Sequence, residues 1–212
     1  MASPIRVPYR SYEEIGRISF DFLKAHDFHN QIPIDVEAIL EFVLDVGIIP
    51  IPGFQQNYSV EGSLSMDLKT VYVDEYVYRA VETRYRFTLA HELGHILLHK
   101  SLFKDMDANS FIDWKRAYRM ISENAYFSLE KQAYDFAGLL LVPADHLKSL
   151  FVKMISENKA KFVEAGKKGV MRPKVLEYFM SQAIYRLGRS FNVSTNVIEK
   201  RIDRDNLISL IP

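Results

Sequence analysis

Two histidines one helical turn apart, with a glutamate beside the first, constrain this chain more than any other feature. His91, Glu92 and His95 form the pattern HExxH. Residues four apart on an α-helix lie about 40° apart around the axis and roughly 6 Å apart along it. Both imidazoles can therefore bind one tetrahedral ion, while Glu92 faces the open side of that ion. The spacing predicts a helix that carries two zinc ligands and a general base for a water molecule.

The residues around HExxH indicate a helix with one buried side. Apolar residues recur at helical spacing, namely Leu89, Leu93, Ile96 and Leu97. A strand would instead show polar and apolar residues in alternation. Gly94 is a poor helix former that costs on the order of 1 kcal/mol relative to alanine. We therefore expect another element to pack close to the backbone at Gly94.

A third histidine, His99, lies too far along the helix to share an ion with His91. On an unbroken helix these two residues stand about 12 Å apart along the axis. Two nitrogens that bind one zinc ion each lie about 2.1 Å from it, so they cannot span that separation. We therefore expect His99 to cap the helix or to hydrogen-bond a ligand. A histidine six residues after His95 is also absent, because position 101 is serine.

The third ligand has to come from another segment, and Glu130 is the best candidate. It lies in the segment 128–143, which has the length and apolar content of a buried helix and ends at Pro143. A carboxylate on such a helix needs a charged partner or a metal, because burying it unpaired is very costly. Two histidines and a glutamate, with water in the fourth position, form a known catalytic zinc set. Glu123, two turns earlier on a similar face, is the competing ligand.

Two linked motifs carry a family resemblance, namely RFTLAHELGHILLH at 86–99 and ExxAxxFAxxLLxP at 130–143. They resemble the ImmA/IrrE family of HExxH zinc metallopeptidases. The upstream stretch IPIDVEAILEFVLDVGIIPI is similar to the leading helix and strand of that family, so the likeness extends over roughly residues 32–145. Two motifs at this spacing are far more specific than HExxH alone.

The resemblance implies a metal site and a catalytic residue. By the family pattern, His91, His95 and Glu130 bind one Zn2+ ion and Glu92 is catalytic. The chain departs from that pattern at Tyr134, because the family commonly has asparagine four residues after the ligand glutamate. The departure concerns the groups that support the ligands rather than the ligands themselves.

Four side chains near the predicted site are candidates for supporting roles. Asp135 stands next to the departure from the family pattern and can hydrogen-bond a ligand. Tyr126 and Tyr134 flank Glu130 by one turn on either side, so each is a candidate donor to the oxyanion that develops during hydrolysis. Both are more often ordinary packing tyrosines. His99 completes this group of candidates.

The resemblance also implies a function and a partner. It implies a zinc-dependent endopeptidase of regulatory type, an anti-repressor whose protein substrate is a transcriptional repressor, expected to be a helix-turn-helix protein. The genes released would be those of a mobile element or a stress response. The alternative is a non-catalytic regulator that binds a partner protein or DNA through the peptidase fold. Glu92 argues against that alternative, because a scaffold needs no base.

Composition bounds the class of protein. The chain has 212 residues, of which 48% are hydrophobic, and this is enough for one sizeable core. It has no cysteine, which excludes disulfides, thiolate zinc sites and cysteine nucleophiles. The first residues lack the apolar core of a signal peptide, and no apolar run approaches the ~20 residues that span a bilayer. We therefore expect a cytoplasmic protein with no membrane partner.

The predicted fold is α+β and mostly helical, a zincin-like fold with a small antiparallel sheet before the HExxH helix. A capping box at 11–14 opens a first helix that runs to about residue 26. Asp35 caps a second helix that Gly47 ends, with Phe42 expected on its inner face. Runs of β-prone residues follow at 48–49, 58–65 and 70–73. In zinc peptidases an edge strand of such a sheet often binds the extended substrate.

We expect a peptidase domain over residues 1–157 and a C-terminal helical section over residues 170–212, either separate or packed in the same domain. The basic stretch 158–174 is typical of a connector. Residues 101–124 form an insert that contains the only tryptophan, Trp114, and is expected either to border the cleft or to serve as packing.

The segment 191–204 resembles the entrance to a helix-turn-helix, with Ser194 as the cap of a candidate recognition helix. Candidate phosphate contacts are Lys200, Arg201 and Arg204. Neighbouring acids cancel their charge, and the formal net charge of the chain is zero. Helical packing is therefore the stronger prediction for this segment, and direct nucleic-acid binding is the weaker one.

Overall fold

The computed structural model describes residues 7–105, 122–167 and 172–211. The predicted α+β class is confirmed, because the described chain is mostly helical with one three-stranded sheet. The chain divides into two compact units, residues 1–141 and residues 142–212. No helix in the described ranges is both long and apolar enough to cross a bilayer. Trp114 and part of the basic connector lie outside these ranges.

The first helix follows its capping box. Helix α1 spans Tyr12–Ala25, and the hydroxyl of Ser11 accepts a hydrogen bond from the backbone N–H of Glu14. Ser11 thus satisfies one of the N–H groups that a helix start leaves without a partner. The buried face of α1 carries Ile15 and Leu23, and α1 packs against the helix that contains Glu130.

The second helix is shorter than the sequence predicts. Asp35 does cap it, since its carboxylate accepts from the backbone N–H of Ala38 at 3.0 Å. Helix α2 spans only Val36–Ala38 and continues as a π-helical turn over Ile39–Val43. A π-helical turn has more residues per turn than an α-helix, so the 3.6-residue pattern no longer applies. The prediction that Phe42 faces inward is therefore wrong, and its side chain is 84% exposed.

The sheet is mixed rather than wholly antiparallel. Strand β1 spans Gly47–Ile51, helix α3 spans Phe54–Tyr58, and strands β2 and β3 span Gly62–Leu64 and Thr70–Asp74. In the order β1-β3-β2, β2 pairs antiparallel with β3, whereas β1 pairs parallel with β3. The prediction of an antiparallel sheet is thus wrong for β1. The chain between β1 and β3 contains α3 and β2, and it is long enough for the crossover that parallel strands need.

Two long helices hold the residues of the predicted site. Asp74 caps a short helix, α4, which spans Glu75–Ala80. Helix α5 then spans Glu82–Asp105, and helix α6 spans Glu123–Leu141. Helices α5 and α6 pack against each other over much of their length.

Gly94 lies at a close contact between α5 and α6, as its place in a helix predicts. A Cβ atom at Gly94 would lie 3.2 Å from Cα of Ala133, 3.2 Å from the ring of Phe136 and 3.3 Å from the Ala133 carbonyl oxygen. These separations are tighter than ordinary van der Waals contact. The glycine therefore permits the close approach of the two helices.

The second unit is wholly helical in its described residues. Helices α7, α8 and α9 span Ala144–Lys167, Arg172–Phe191 and Thr195–Arg204, and a 3-10 turn follows over Leu207–Leu210. Its buried side chains include Leu147, Phe151, Phe191 and Ile198. The domain bounds expected from the sequence, 1–157 and 170–212, stay a prediction.

Arg201 is not available to contact phosphate. Its guanidinium donates to the backbone carbonyl of Val142 and to the carboxylate of Asp205, and the residue is 3% exposed. The prediction of Arg201 as a phosphate contact is therefore wrong, because its guanidinium is buried and both terminal nitrogens donate within the unit. Ser194 occupies the N-cap of α9, but its side chain makes no capping hydrogen bond.

Candidate metal centre

Helix α5 presents both imidazoles of HExxH on the same side. Nε2 of His91 lies 3.0 Å from Nε2 of His95, and the rings are nearly perpendicular, with an interplanar angle of 77°. The buried apolar residues of the same helix, Leu89 and Leu93, face the core. The helical period thus separates the packing face from the face that carries the imidazoles.

Helix α6 places Glu130 against these two nitrogens. Oε2 of Glu130 lies 3.2 Å from Nε2 of His91, and Oε1 lies 3.7 Å from Nε2 of His95. Two atoms that each lie about 2.1 Å from one tetrahedral ion stand about 3.4 Å apart. The observed separations fall on both sides of that value, so the three side chains could hold one metal ion. Glu123, the competing ligand, is exposed in the first turn of α6 and is not part of this group.

Burial and neighbouring charges give the two imidazoles different pKa values. Burial, helped by the neighbouring His91 and His99, holds the pKa of His95 well below its ordinary value. Burial also acts to lower the pKa of His91, but the hydrogen bond to Glu130 and the charge of Glu92 outweigh it and raise that pKa. His95 is therefore neutral at pH 7, with a lone pair to donate. A cation bound here would displace the proton that the raised pKa of His91 favours.

Glu92 is buried beside the imidazoles and against strand β2. The residue is only 6% exposed, and this burial raises the pKa of its carboxyl group to about 7. The backbone N–H of Leu64 donates to its carboxylate and acts to lower that pKa. A carboxylate with a pKa near neutrality can both accept and release a proton at physiological pH.

Gly62 lets strand β2 lie directly on helix α5. A Cβ atom there would overlap Cγ2 of Thr88 and would lie 3.3 Å from Oε1 of Glu92. In the register of β2 with β3, Ser63 lies opposite Tyr72. On either side of this pair, the N–H of Asp74 donates to the carbonyl of Glu61, and the N–H of Ser65 donates to the carbonyl of Thr70. Because hydrogen-bonding directions alternate along a strand, the backbone groups of residues 62 and 64 point to the opposite edge, beside Glu92.

Two exposed tyrosines stand next to the group formed by His91, His95 and Glu130. The ring of Tyr134 packs edge-on against His91 at 4.7 Å. Burial and the charge of Glu130 raise the pKa of Tyr134, and the same two causes raise the pKa of Tyr126. Both phenols therefore keep their proton at neutral pH and can donate a hydrogen bond.

Asp135 lies on α6 beside Tyr134, and its supporting role toward the ligands stays a prediction. Its carboxylate pairs with Lys131 one turn earlier on α6. Nδ1 of His91 is buried and has no hydrogen-bond partner. The ring of His91 is held instead by packing against Tyr134.

The imidazole of His99 lies between that of His95 and the amide of Gln132. Its Nδ1 lies 3.2 Å from Nδ1 of His95, and its Nε2 lies 3.1 Å from Oε1 of Gln132. Burial lowers the pKa of His99 to about 4, so this imidazole is neutral at pH 7. Reasoning from sequence missed Gln132. A polar amide within the apolar stretch 128–143 was the available signal, because a buried amide needs hydrogen-bond partners.

The peptidase family described as the IrrE N-terminal-like domain matches residues 69–203. Among solved structures, a Mycobacterium tuberculosis transcriptional regulator is similar, with a TM-score of 0.52 and 12% sequence identity over 89% of this chain and 46% of that one. This chain thus spans about half the length of that regulator, and at such identity the likeness shows the fold alone. No curated protein matches the sequence significantly.

Proposed function

The chain belongs to the peptidase family of the IrrE N-terminal-like domain, and from this premise we propose that it is a zinc-dependent endopeptidase of regulatory type. The approach of Glu130 to both imidazoles of HExxH carries the proposal. These three side chains come from two helices, and Glu130 lies 35 or more residues after the two histidines. Membership of the family and this convergence support the same chemistry independently.

His91, His95 and Glu130 would hold the ion. Two imidazoles and one carboxylate form a donor set that favours zinc over harder cations. The neutral state of His95 suits it to donate a lone pair. A proton on Nε2 of His91, which its raised pKa favours, would leave as the ion binds, because metal ligands must be deprotonated.

Glu92 would be the catalytic base. When bound, zinc would polarise the scissile carbonyl and acidify a water molecule. Glu92 takes the proton of the attacking water and passes it to the departing amine, a role that its pKa of about 7 allows. The Leu64 N–H holds this carboxylate against β2, so it cannot turn away from the imidazoles without losing a hydrogen bond.

The free edge of β2 and the phenol of Tyr134 would bind the substrate. The backbone N–H and C=O of Gly62 and the C=O of Leu64 face the side of Glu92, where an extended peptide can add to the sheet edge. Tyr134 packs on His91 and keeps its proton, so it can donate to the oxyanion that forms on the carbonyl.

The substrate of this peptidase would be a helix-turn-helix transcriptional repressor in the cytoplasm, which the chain would cut as an anti-repressor. Support comes from the resemblance of the motifs at 86–99 and 130–143 to the ImmA/IrrE family. The solved protein of similar fold is also named a transcriptional regulator.

Metal content and cleavage together test the proposal. Wild-type protein should hold one equivalent of zinc, and His95→Ala should hold none. Purified helix-turn-helix repressors from the same organism serve as substrates, and mass spectrometry detects cleavage. The wild type should cleave at least one repressor, whereas Glu92→Gln should retain zinc and no longer cleave it. A wild type free of divalent metal after expression in zinc medium would contradict the proposal.

A non-catalytic regulator is the second candidate function. Residues 142–212 contain 13 Lys and Arg against 7 Asp and Glu, whereas residues 1–141 contain 14 against 20. An excess of positive charge favours an acidic partner such as DNA or a protein segment. Regulation that persists in Glu92→Gln would support this candidate over the peptidase.

A further inference from the structure

A line of hydrogen-bonding groups leads from a backbone carbonyl near the start of the chain to His95. Nε2 of Gln132 donates to the carbonyl oxygen of Pro8 at 2.9 Å. Oε1 of Gln132 lies 3.1 Å from Nε2 of His99, and Nδ1 of His99 lies 3.2 Å from Nδ1 of His95. The line joins the segment before α1, helix α6 and helix α5. We call it the Pro8–His95 relay.

The carbonyl of Pro8 fixes the direction of every hydrogen bond in this relay. A carbonyl oxygen only accepts, so Gln132 turns its NH2 group to Pro8 and its own oxygen to His99. That amide oxygen also only accepts, so Nε2 of His99 must carry a proton. A neutral imidazole has a single N–H, which leaves Nδ1 of His99 as an acceptor.

The tautomer of His95 follows. Because Nδ1 of His99 accepts, Nδ1 of His95 must donate. Neutral His95 then has its lone pair on Nε2, the nitrogen that faces His91 and Glu130. A doubly protonated His99 is disfavoured because it would bury a charge in a residue that is 1% exposed.

We propose that Gln132 and His99 are positioning residues, which hold His95 in the tautomer whose Nε2 is free to bind the ion. This inference rests on the proposed metal site and adds residues to it. His91 provides the contrast, because its Nδ1 is buried without a hydrogen-bond partner. The relay therefore orients one of the two imidazoles, and the carboxylate and ring contacts of Glu130 and Tyr134 orient the other.

Nuclear magnetic resonance of the metal-free chain of 212 residues tests the tautomer directly. Long-range 1H–15N correlations distinguish an imidazole protonated at Nδ1 from one protonated at Nε2. In the wild type we expect His95 with its proton on Nδ1 and His99 with its proton on Nε2. In Gln132→Leu we expect His95 to show a mixture of tautomers, because nothing then fixes His99.

Two substitutions of similar size at His99 separate the relay from packing. His99→Leu removes the acceptor, and we expect zinc affinity to fall about 10- to 100-fold, as it does when a hydrogen-bond partner of a ligand is lost. His99→Asn places an amide oxygen where Nδ1 stood, so its affinity should stay within a few-fold of the wild type. Leu98→Ala, which removes a buried side chain of the same helix outside the relay, should leave affinity unchanged. Chelator competition measures the zinc affinity of the wild type and of these three variants.

The outcomes separate this inference from the proposed function. A wild type that binds zinc and cleaves, but whose His95 is protonated at Nε2 before zinc is added, would overturn the relay alone. Equal zinc affinity in His99→Leu and His99→Asn would do the same. A wild type that binds no zinc would overturn the proposed function, and the positioning role with it, whatever tautomer His95 shows.

Discussion

At the scale of single residues, the atoms that face each ring nitrogen decide what each histidine of α5 can do. His91 and His95 turn Nε2 toward Glu130. His99 has the same side chain and lies one turn further on, but it faces His95 and Gln132. Sequence spacing excluded His99 as a ligand of the same ion as His91. It could not identify Gln132, which lies on a different helix 33 residues away.

Tyr134 is the residue whose hydroxyl we expect to matter for the reaction. Tyr134→Phe keeps the ring contacts with His91 and Phe87 but removes the donor. If the phenol stabilises the oxyanion, kcat should fall by about 10²- to 10³-fold, as for loss of one such donor. Zinc content should stay at one equivalent, since no ligand changes. Steady-state cleavage of a repressor measures kcat and KM.

Tyr126→Phe is the matched control for that substitution. Tyr126 also lies one turn from Glu130, but the charge of Glu92 acts on the phenol of Tyr134 and is not among the causes that raise the pKa of Tyr126. We expect kcat of Tyr126→Phe within a few-fold of the wild type. A larger loss in Tyr126→Phe than in Tyr134→Phe would assign the donor to Tyr126 instead.

At the scale of elements, local signals were predictable and pairings between elements were not. The capping box at 11–14 and the periodic residues of α5 depend on neighbours in sequence, and both predictions are confirmed. The π-helical turn at 39–43 and the parallel pairing of β1 depend on contacts with other elements, which no local pattern encodes. Close packing at Gly94 was predictable, because glycine is rare inside helices without a packing reason, but its partner α6 was not.

Gly94 controls the separation of α5 and α6, and hence the position of Glu130 relative to the imidazoles. Gly94→Ala gains about 1 kcal/mol of helix propensity but overpacks the contact with Ala133 at a cost of about 1–3 kcal/mol. We expect the free energy of unfolding to fall by up to about 2 kcal/mol and zinc affinity to fall with it. Chemical denaturation and chelator competition measure the two effects.

Gly16 offers the matched control, because it also lies in a helix that packs on α6. A Cβ atom at Gly16 would lie 3.5 Å from Cδ2 of Leu139, which is ordinary contact. Gly16→Ala should therefore raise the free energy of unfolding by about 0.5–1 kcal/mol and leave zinc affinity unchanged. Equal effects of the two substitutions on zinc affinity would show that the helix separation at Gly94 does not matter.

Gly62 should be needed for activity rather than for metal binding. In Gly62→Ala the added methyl overlaps Cγ2 of Thr88, so β2 must move away from α5 and the Leu64 N–H must leave Glu92. We expect kcat to fall while zinc content is unchanged. Thr88→Ser removes only the overlapped methyl, so the double variant should recover part of the loss. A double variant no more active than Gly62→Ala would refute this steric explanation.

Asp74 should make stability depend on acid pH. Its carboxylate accepts backbone N–H groups from Gln55, Tyr76 and Val77, and the bond from Gln55 is the largest cause that lowers its pKa. A pKa that is lower in the folded state means that the stabilisation is complete above the unfolded pKa of about 3.9. It is lost as the pH falls through the folded pKa.

Asp74→Asn tests this prediction, because one oxygen becomes an NH2 group that cannot accept. We expect a loss of about 1–2 kcal/mol in the free energy of unfolding at pH 7. The difference from the wild type should shrink below about pH 4. Chemical denaturation of both proteins at pH 7 and at pH 3.5 measures this difference in the free energy of unfolding. Asp45→Asn, at a side chain that is 96% exposed, should have little effect at either pH.

At the scale of the whole molecule, the zero net charge conceals an uneven distribution. Residues 1–141 contain six more acidic than basic residues, and residues 142–212 contain six more basic than acidic ones. This difference in charge can be counted from the sequence, but only once the boundary between the two compact units is known. The domain boundary predicted from the basic connector at 158–174 stays a prediction, because composition marks linkers and does not report which helices pack together.

The two compact units should respond differently to zinc. All three candidate ligands lie within residues 1–141, and each unit has its own fully buried aromatic side chains, such as Phe136 in the first and Phe151 in the second. We therefore expect two transitions in scanning calorimetry of the full chain. A ligand that binds only the folded state at 100 times its Kd stabilises by about 2.7 kcal/mol, which raises Tm of a unit this size by roughly 5–10 °C.

Zinc should raise the midpoint temperature of one of these transitions and leave that of the other unchanged, because a ligand stabilises only the cooperative unit that binds it. His95→Ala provides the control, since neither transition should move when zinc is added to it. A single transition that zinc raises as a whole would show that both units unfold together. In that case zinc binding would stabilise residues 1–141 and 142–212 together, and the chain would unfold as one cooperative domain.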